Sequence, residues 1–151
     1  MRRTSVGADG AERLARIPLF EDFSRGERRM LARAADQAFA AAGETLMEEG
    51  EPAYELMVLE AGSAEVLHDS RRVAALGPGD IFGELAVLAG GARRARVRAT
   101  RDVRTLVFTA HFAHEMRARV PRLRERIDRT ASRRLAEAAP REEGRAPAAR
   151  A

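Results

Sequence analysis

Residues 82–100 read FGELAVLAGGARRARVRAT, the stretch of this chain that is most characteristic of one fold. Gly83 and Glu84 stand at the head of a short apolar run, and Arg93 and Arg94 follow two glycines at its other end. A loop that only connects two elements needs neither an acidic residue nor an arginine pair at this spacing. The pattern therefore indicates a binding segment.

These residue types suit a ligand that carries both a hydroxyl group and a negative charge. Residues 84–88 predict one short helical turn, and its free backbone N–H groups at Leu85 and Ala86 can bind a phosphate. Arg93 can bind the same phosphate through two parallel hydrogen bonds, whereas Glu84 repels it and can accept a hydrogen bond from a hydroxyl. A sugar phosphate offers both groups. The alternative is a plain surface ion pair between Glu84 and Arg93, worth about 0–1 kcal/mol.

Composition limits the class of protein. The 151 residues predict one domain, and the absence of cysteine excludes a disulfide framework and a thiol nucleophile. The sequence holds no run of 18 apolar residues and no secretory signal, so we expect a cytoplasmic protein without a membrane partner. All 27 basic residues are arginine, and they concentrate in residues 93–151. A solvated arginine-rich helix is the ordinary explanation, and attraction of polyanions is the alternative.

The middle of the chain reads as short strands separated by turns. We predict strands at Tyr54–Glu60, Ser63–His68, Arg71–Leu76, Arg96–Thr100 and Asp102–Phe108. Frequent turns, including the Gly-Pro-Gly-Asp at 77–80, favour a sandwich or a barrel.

Helical periodicity flanks this β region on both sides. Residues 11–42 read as helical, with Ser24 and Glu27 in the pattern of a capping box. From His111 onward the period is helical again, and Pro121 predicts the start of a new helix. That helix has one apolar stripe at four-residue spacing, formed by Leu123, Ile127, Ala131 and Leu135.

Residues 82–99, called the cassette below, resemble the phosphate-binding cassette of the cyclic nucleotide-binding domain family. The family pattern is F-G-E-L/I-A-L, a short spacer and P-R-x-A-x-V-x-A. The positions that match it are Phe82, Gly83, Glu84, Leu85, Ala86, Arg93, Ala95, Val97 and Ala99. Further landmarks match in order, and the resemblance covers roughly residues 12–138. The domains of cAMP-receptor-protein-like regulators and protein kinase A regulatory subunits belong to this family.

The resemblance implies an α+β fold: an eight-stranded antiparallel β-roll, a jelly-roll-like double-stranded β-helix. N-terminal helices and C-terminal B and C helices flank the roll. Residues 1–11 are then a flexible N-terminus, 12–138 the domain and 139–151 a disordered tail, with no helix-turn-helix output domain. The expected function is a non-catalytic sensor that signals through movement of the C helix. A domain that has lost its ligand and serves as a protein interaction module is the alternative.

The resemblance also implies roles for individual residues. Glu84 binds the ribose 2′-hydroxyl, Arg93 binds the cyclic phosphate, and backbone N–H groups of the cassette complete the phosphate site. The candidate ligand-binding residues are Val73, Leu76, Gly83, Glu84, Leu85, Ala86, Arg93, Arg94, Ala95 and Val97, of which Val73, Leu76 and Val97 form an apolar wall against the base. No catalytic residue, metal or other cofactor is expected.

The chain departs from the family pattern at several positions. Ala92 replaces the usual proline, and Arg94, which can contact the phosphate or lie in solvent, replaces a small residue. Arg96 stands where some members carry the Thr or Ser that favours guanine, so cyclic AMP is expected rather than cyclic GMP. The expected partners are this nucleotide, a regulated protein and a second copy bound weakly through the C helix. Nucleic acid is disfavoured, because the chain lacks a recognition helix.

Overall fold

The computed structural model describes residues 1–7 and 10–138, and the side chains of Leu85, Ala131 and residues 134–138 are not part of that description. The helices are α1 Ala11–Leu14, α2 Arg25–Ala34, α3 Glu84–Ala89, α4 Ala110–Arg119 and α5 Pro121–Ala138, with a 3₁₀ turn at Pro18–Phe20. The strands are β1 Arg2–Ser5, β2 Asp36–Ala40, β3 Thr45–Met47, β4 Glu55–Ala61, β5 Ala64–His68, β6 Arg71–Leu76, β7 Ile81–Phe82, β8 Arg96–Ala99 and β9 Val103–Thr109.

The strands form two antiparallel sheets. One sheet has the order β1-β2-β9-β4-β7 and the other has the order β3-β8-β5-β6. The strands predicted in the middle of the chain are confirmed as β4, β5, β6, β8 and β9, with shifts of one or two residues at their ends. The antiparallel α+β class is therefore confirmed. The described residues form nine strands, however, where eight were expected.

The helices begin where their caps predict. The Ser24 side chain accepts a hydrogen bond from the Glu27 backbone N–H, and the Glu27 carboxylate accepts one from the Ser24 N–H, which confirms the capping box. Pro121 is the first residue of α5, as its position predicted. Leu123 and Ile127 of the apolar stripe are buried. The two other members of that stripe, at 131 and 135, lie outside the described side chains.

Two apolar clusters hold the domain together. The helical core packs the N-terminal helices, α4 and α5 against the outer face of β4 and β9, and includes Leu14, Phe20, Leu31, Leu56, Val58, Val87, Leu106, Phe108, Met116, Leu123 and Ile127. The roll core lies between the two sheets and consists of Ala38, Ala40, Leu46, Met47, Met57, Leu59, Ala64, Leu76, Phe82, Val97, Ala99, Val103 and Val107. Alternate residues of β4 enter the two clusters, because successive side chains of a strand point to opposite faces.

The helical interpretation of residues 11–42 is wrong at its C-terminal end. Helix α2 ends at Ala34, and Asp36–Ala40 forms β2, which pairs with β9 along its whole length. This segment reads DQAFA, and its alanines favour a helix locally. Pairing with a strand far along the chain overrides that preference, because strand formation depends on cross-strand packing.

The assignment of residues 1–11 to a flexible N-terminus does not describe residues 2–5. They form β1, an edge strand that pairs with β2 from Arg2–Phe39 to Ser5–Asp36. The Gln37 amide donates a hydrogen bond to the Thr4 hydroxyl over 2.9 Å. All four β1 residues are exposed, so no apolar alternation marks this strand in the sequence. The predicted tail at 139–151 lies outside the described residues.

Candidate functional site

The cassette turns sharply at Gly83, which directly precedes α3. Gly83 has a φ of 86°, in the left-handed region that side chains rarely adopt. A Cβ atom at this position would lie 2.6 Å from Met47 Cε and 2.7 Å from Arg93 Nη1. The missing side chain therefore allows both the turn and the close approach of the Arg93 guanidinium to the backbone.

Arg93 is held inside the protein by backbone carbonyl groups. Its side chain donates from Nη1 to the Gly83 carbonyl over 3.0 Å and from Nη2 to the Glu55 carbonyl over 2.5 Å. Only 8% of the residue is exposed. A guanidinium has five N–H donors, and these two hydrogen bonds to carbonyl groups use two of them for positioning.

The backbone on both sides of Arg93 is fixed as well. The Arg93 N–H donates to the Glu51 carbonyl over 2.7 Å, and the Arg93 carbonyl accepts from the Gly50 N–H over 2.9 Å. An isolated antiparallel bridge joins Pro52 to Ala92. The loop after α3 thus returns along residues 50–53, even though Ala92 replaces the proline of the family pattern.

The site places one cation among several carboxylates. Glu84, the first residue of α3, is 1% exposed. Burial lowers the pKa of Arg93, and the carboxylates of Glu55, Glu84 and Glu51 oppose that shift. An arginine stays protonated under these conditions. Glu84 and Arg93 are therefore both buried and lie close enough for their charges to interact.

The remaining predicted residues differ in how far their side chains are buried. Leu76 and Val97 are buried in the roll core, whereas Val73 on β6 is 61% exposed and is not brought together with them. Ala86 is buried in α3. Ala95 is half-buried and Arg94 is exposed, so the side chains of Arg93 and Arg94 lie in different environments. The Leu85 side chain lies outside the described part of the chain.

Sequence reasoning missed the residues that orient Arg93. Met47 on β3 lies where it would clash with a side chain at Gly83, and Glu55 on β4 supplies a carbonyl to the guanidinium. A backbone carbonyl leaves no residue-type signal in a sequence. Only the three-dimensional pairing of residues 50–53 with the cassette brings Glu55 to Arg93.

The three histidines contact different parts of the protein. The His68 ring Nδ1 lies 2.8 Å from a Glu49 carboxylate oxygen and 3.2 Å from the Arg94 carbonyl. Hydrogen bonding to this carbonyl, and then the charges of Asp69 and Glu49, raise the pKa of His68. His111 faces Glu115, whereas His114 Nε2 lies 3.1 Å from the Val87 carbonyl. These two histidines are therefore engaged separately.

Helix α3 connects the cassette to the C-terminal helices. Val87 of α3 is buried in the helical core together with Leu123 and Ile127 of α5. The contact between His114 of α4 and the Val87 carbonyl adds a polar tie to the same helix. A shift of α3 would therefore change the packing of α4 and α5.

Among the described helices, none combines the length and apolar character needed to cross a bilayer.

Comparison with known proteins shows which family this chain matches. Residues 37–119 match the family model of the cyclic nucleotide-binding domain. A cAMP-dependent protein kinase regulatory subunit of Hypocrea atroviridis is 33% identical over 91 residues, which cover 60% of this chain and 20% of that protein. The chain spans 20% to 24% of the length of the first curated relatives that it matches.

Two solved structures are also similar. The catabolite activator protein of Thermus thermophilus has a TM-score of 0.70 at 25% identity, covering 80% of this chain and 59% of that one. A cAMP-binding acyltransferase from Mycobacterium smegmatis has a TM-score of 0.73 at 28% identity, covering 88% of this chain and 43% of that one. The similarity to both extends well beyond the cassette.

Proposed function

This chain belongs to the cyclic nucleotide-binding domain family, and we propose that it is a non-catalytic sensor that prefers cyclic AMP to cyclic GMP. The observation that carries the proposal is the way in which the Arg93 side chain is held by hydrogen bonds inside the protein. Its guanidinium is held in a fixed orientation by two backbone carbonyls beside the buried Glu84, and these bonds use two of its five N–H donors. A merely structural ion pair does not require an arginine that is fixed in this way.

The phosphate is assigned to Arg93 and to backbone N–H groups of Leu85, Ala86 and Ala95. Leu85 and Ala86 lie in the first turn of α3, whose N–H groups have no acceptor within the helix. Glu84 accepts a hydrogen bond from the ribose 2′-hydroxyl. Together these groups recognise a phosphate and a hydroxyl on one sugar.

The base is assigned to the mouth of the β-roll, against Leu76 and Val97, with the exposed Val73 at the rim. The Arg96 side chain donates from Nε to a Glu48 carboxylate oxygen over 2.8 Å, so this position lacks the hydroxyl group with which some family members favour guanine. The missing hydroxyl supports the preference for adenine. Arg94, which is exposed, is left out of the phosphate site.

The signal is proposed to pass through α3 to α5. Ligand binding at the start of α3 changes the packing of Val87 against Leu123 and Ile127, which share one buried cluster. A ligand shifts such an equilibrium only by binding one arrangement more tightly than the other. The moved α5 then binds or releases a protein partner, which is either a regulated protein or a second copy of this chain.

An interaction module without a nucleotide is the second candidate. The observation that favours it is that Glu84 and Arg93 are both buried and already engaged within the protein. In that case the Arg93 guanidinium is a structural tie between β4 and α3, and the arginine-rich surface of α5 binds an acidic partner.

Calorimetric titration with cyclic AMP, cyclic GMP and linear 5′-AMP separates the two candidates. We expect micromolar or tighter binding of cyclic AMP, weaker binding of cyclic GMP and little heat from 5′-AMP. Absence of heat and of a thermal shift with either cyclic nucleotide at saturating concentration would contradict the sensor and favour the module. Hydrogen exchange with cyclic AMP then tests the signal: protection at 82–97 without any change along 121–133 would show a site that is not coupled to α5.

A further inference from the structure

Glu55 connects the outermost strand of the five-stranded sheet to the cassette. Its backbone carbonyl accepts a hydrogen bond from Arg93 Nη2 over 2.5 Å. Its carboxylate is bound by Arg3 of β1 through both oxygens, with Arg3 Nη2 at 2.5 Å from Oε1 and Arg3 Nη1 in contact with Oε2. One residue of β4 therefore contacts two arginines that lie far apart in the sequence.

The sheet register shows that the side chains of Arg3 and Glu55 lie on the same face of the five-stranded sheet. Arg3 lies opposite Ala38, Ala38 opposite Thr105, and Thr105 opposite Leu59. Directly opposed residues share one face of a sheet, and alternate residues along β4 lead from Leu59 to Glu55 on that same face. Ala38 and Leu59 belong to the roll core. Arg3 and Glu55 thus both lie on the face of the sheet that carries the roll core, where the base is proposed to bind.

The Glu55 carboxylate matters for an anion site because of its charge. Of the three carboxylates that attract Arg93, Glu55 acts most strongly, followed by Glu84 and Glu51. A carboxylate near the binding arginine competes with an incoming phosphate for the guanidinium and also repels that phosphate. Arg3 balances this negative charge locally. The side chains of Arg3 and Glu55 are 36% and 25% exposed, so solvent screens the pair only in part.

We propose that Arg3 is a positioning residue for the anion site: it holds the Glu55 carboxylate, so that Arg93 stays fixed on the Glu55 carbonyl and available to a phosphate. The inference rests on the proposed nucleotide-binding function and adds to it a residue outside the region that matches the family model. It also gives β1 a role in ligand affinity.

Arg2 provides a matched control on the same strand. It carries the same charge one residue away, and its guanidinium carbon lies 4.9 Å from the centre of the Phe39 ring. Neighbouring residues of a strand point to opposite faces, so Arg2 lies on the face away from Glu55. An effect common to Arg2→Ala and Arg3→Ala would reflect only the loss of one positive charge.

The test is a cyclic AMP titration of the parent protein, Arg2→Ala, Arg3→Ala, Glu55→Gln and the double variant Arg3→Ala/Glu55→Gln. We expect Arg3→Ala to weaken binding about three- to fivefold, the size of a partly exposed charge interaction. The double variant should bind within about twofold of the parent, since the unpaired carboxylate is gone. Arg2→Ala should bind like the parent.

A purely structural role for Arg3 predicts a different result. The contact between β1 and β4 stays broken in the double variant, so affinity would remain as low as in Arg3→Ala, and that outcome would overturn the proposal. Equal weakening by Arg2→Ala would overturn it too. Hydrogen exchange of residues 2–5 shows directly whether β1 stays paired with β2 in each variant.

A readout without nucleotide keeps this inference separate from the proposed function. The Arg93 Nε–H signal in a ¹H–¹⁵N NMR spectrum is identified as the one lost in Arg93→Lys. We expect it to move in Arg3→Ala, to return toward its parent position in the double variant and to stay unchanged in Arg2→Ala. If the parent protein binds no cyclic nucleotide, the sensor fails, while this signal still tests whether Arg3 acts on Arg93 through Glu55. If the Arg93 Nε–H signal does not move in Arg3→Ala, the inference is refuted.

Discussion

The two arginine-rich regions of the molecule, the cassette and α5, hold their guanidinium groups in different ways. Arg93 is buried between the carbonyls of Gly83 and Glu55. On α5, Arg122 and Arg126 reach across the surface to side chains of the N-terminal segment. Buried carbonyls fix one geometry, whereas exposed carboxylates allow exchange with water and salt. The same residue type thus forms a fixed, buried contact in one region and an exposed, releasable contact in the other.

The largest expected effect is on ligand affinity when Arg93 is replaced. If Arg93 binds the phosphate as proposed, Arg93→Ala removes two charge-assisted hydrogen bonds, each worth about 1.5–3 kcal/mol. We expect cyclic AMP to bind about 100-fold more weakly or worse, as measured by calorimetry. Arg94→Ala is the matched control, because it removes the same charge from the exposed neighbouring position, and its affinity should stay within about threefold.

Arg93→Lys separates charge from geometry at the same position. A lysine keeps the positive charge but cannot form two parallel hydrogen bonds, so its affinity should lie between those of the parent and Arg93→Ala. Equal binding by the variants at positions 93 and 94 would contradict the assignment of the phosphate to Arg93.

The next effect concerns the turn that allows Arg93 to approach the backbone. Gly83→Ala adds a Cβ that clashes with Met47 Cε and Arg93 Nη1, at a residue with positive φ. We expect a loss of about 2–4 kcal/mol in the free energy of unfolding, the sum of backbone strain and overpacking. Chemical denaturation measures it, and nucleotide affinity should fall as well because the guanidinium is displaced.

Gly50→Ala is the control for strain alone. Gly50 has the same φ of 86° as Gly83, but a Cβ added there would meet no atom within 4 Å. It should therefore lose only about 1–2 kcal/mol, the backbone part of the effect. If both alanine variants are equally destabilised, close packing at Gly83 is not what holds the cassette.

The sequence predicted those parts of the molecule that depend on local signals. The Ser24 capping box and the strands of the middle region follow from short patterns, whereas the ligand roles of Glu84 and Arg93 stay predictions. Contacts between distant segments were missed. The alanines of β2 favour a helix locally, and β1 has no buried side chain that could mark it in the sequence. The backbone carbonyls that orient Arg93 come close to it only in the folded protein, so no residue type in the sequence indicates these contacts.

A smaller effect is expected on α5, where the contacts are exposed. Arg126 donates hydrogen bonds to the Leu19 carbonyl and to the Asp22 carboxylate, which is 52% exposed. Arg126→Ala should therefore lower the free energy of unfolding by about 1 kcal/mol or less. Hydrogen exchange along residues 121–133 should nevertheless become faster, because Leu123 and Ile127 then hold the helix without this tie.

Salt and a neighbouring arginine test the origin of that effect. High salt should speed exchange in the parent protein toward that of Arg126→Ala, since exposed charges are screened. Arg124→Ala removes an exposed charge from the same helix and should leave the exchange unchanged. Unchanged exchange in Arg126→Ala would mean that apolar burial alone fixes α5, and the contrast with the cassette would then disappear.

The smallest expected effect is a pH dependence at the edge of the cassette. The Arg94 carbonyl, and then Asp69 and Glu49, raise the pKa of His68 in the folded protein. Its contribution to stability is therefore complete below the unfolded value of about 6.5 and is lost as the pH rises through the folded value. A titration of the His68 ring signals by NMR should give a midpoint above about 6.5.

Variants of two adjacent glutamates show whether the cassette contributes to this shift. Glu49→Gln should lower the His68 midpoint only in part, because the Arg94 carbonyl acts first and remains in place. Glu48→Gln is the control, since its carboxylate binds Arg96 instead. A midpoint that returns fully to about 6.5 in Glu49→Gln would assign the shift to surface charge alone. The Arg94 carbonyl would then be an incidental neighbour of the His68 ring.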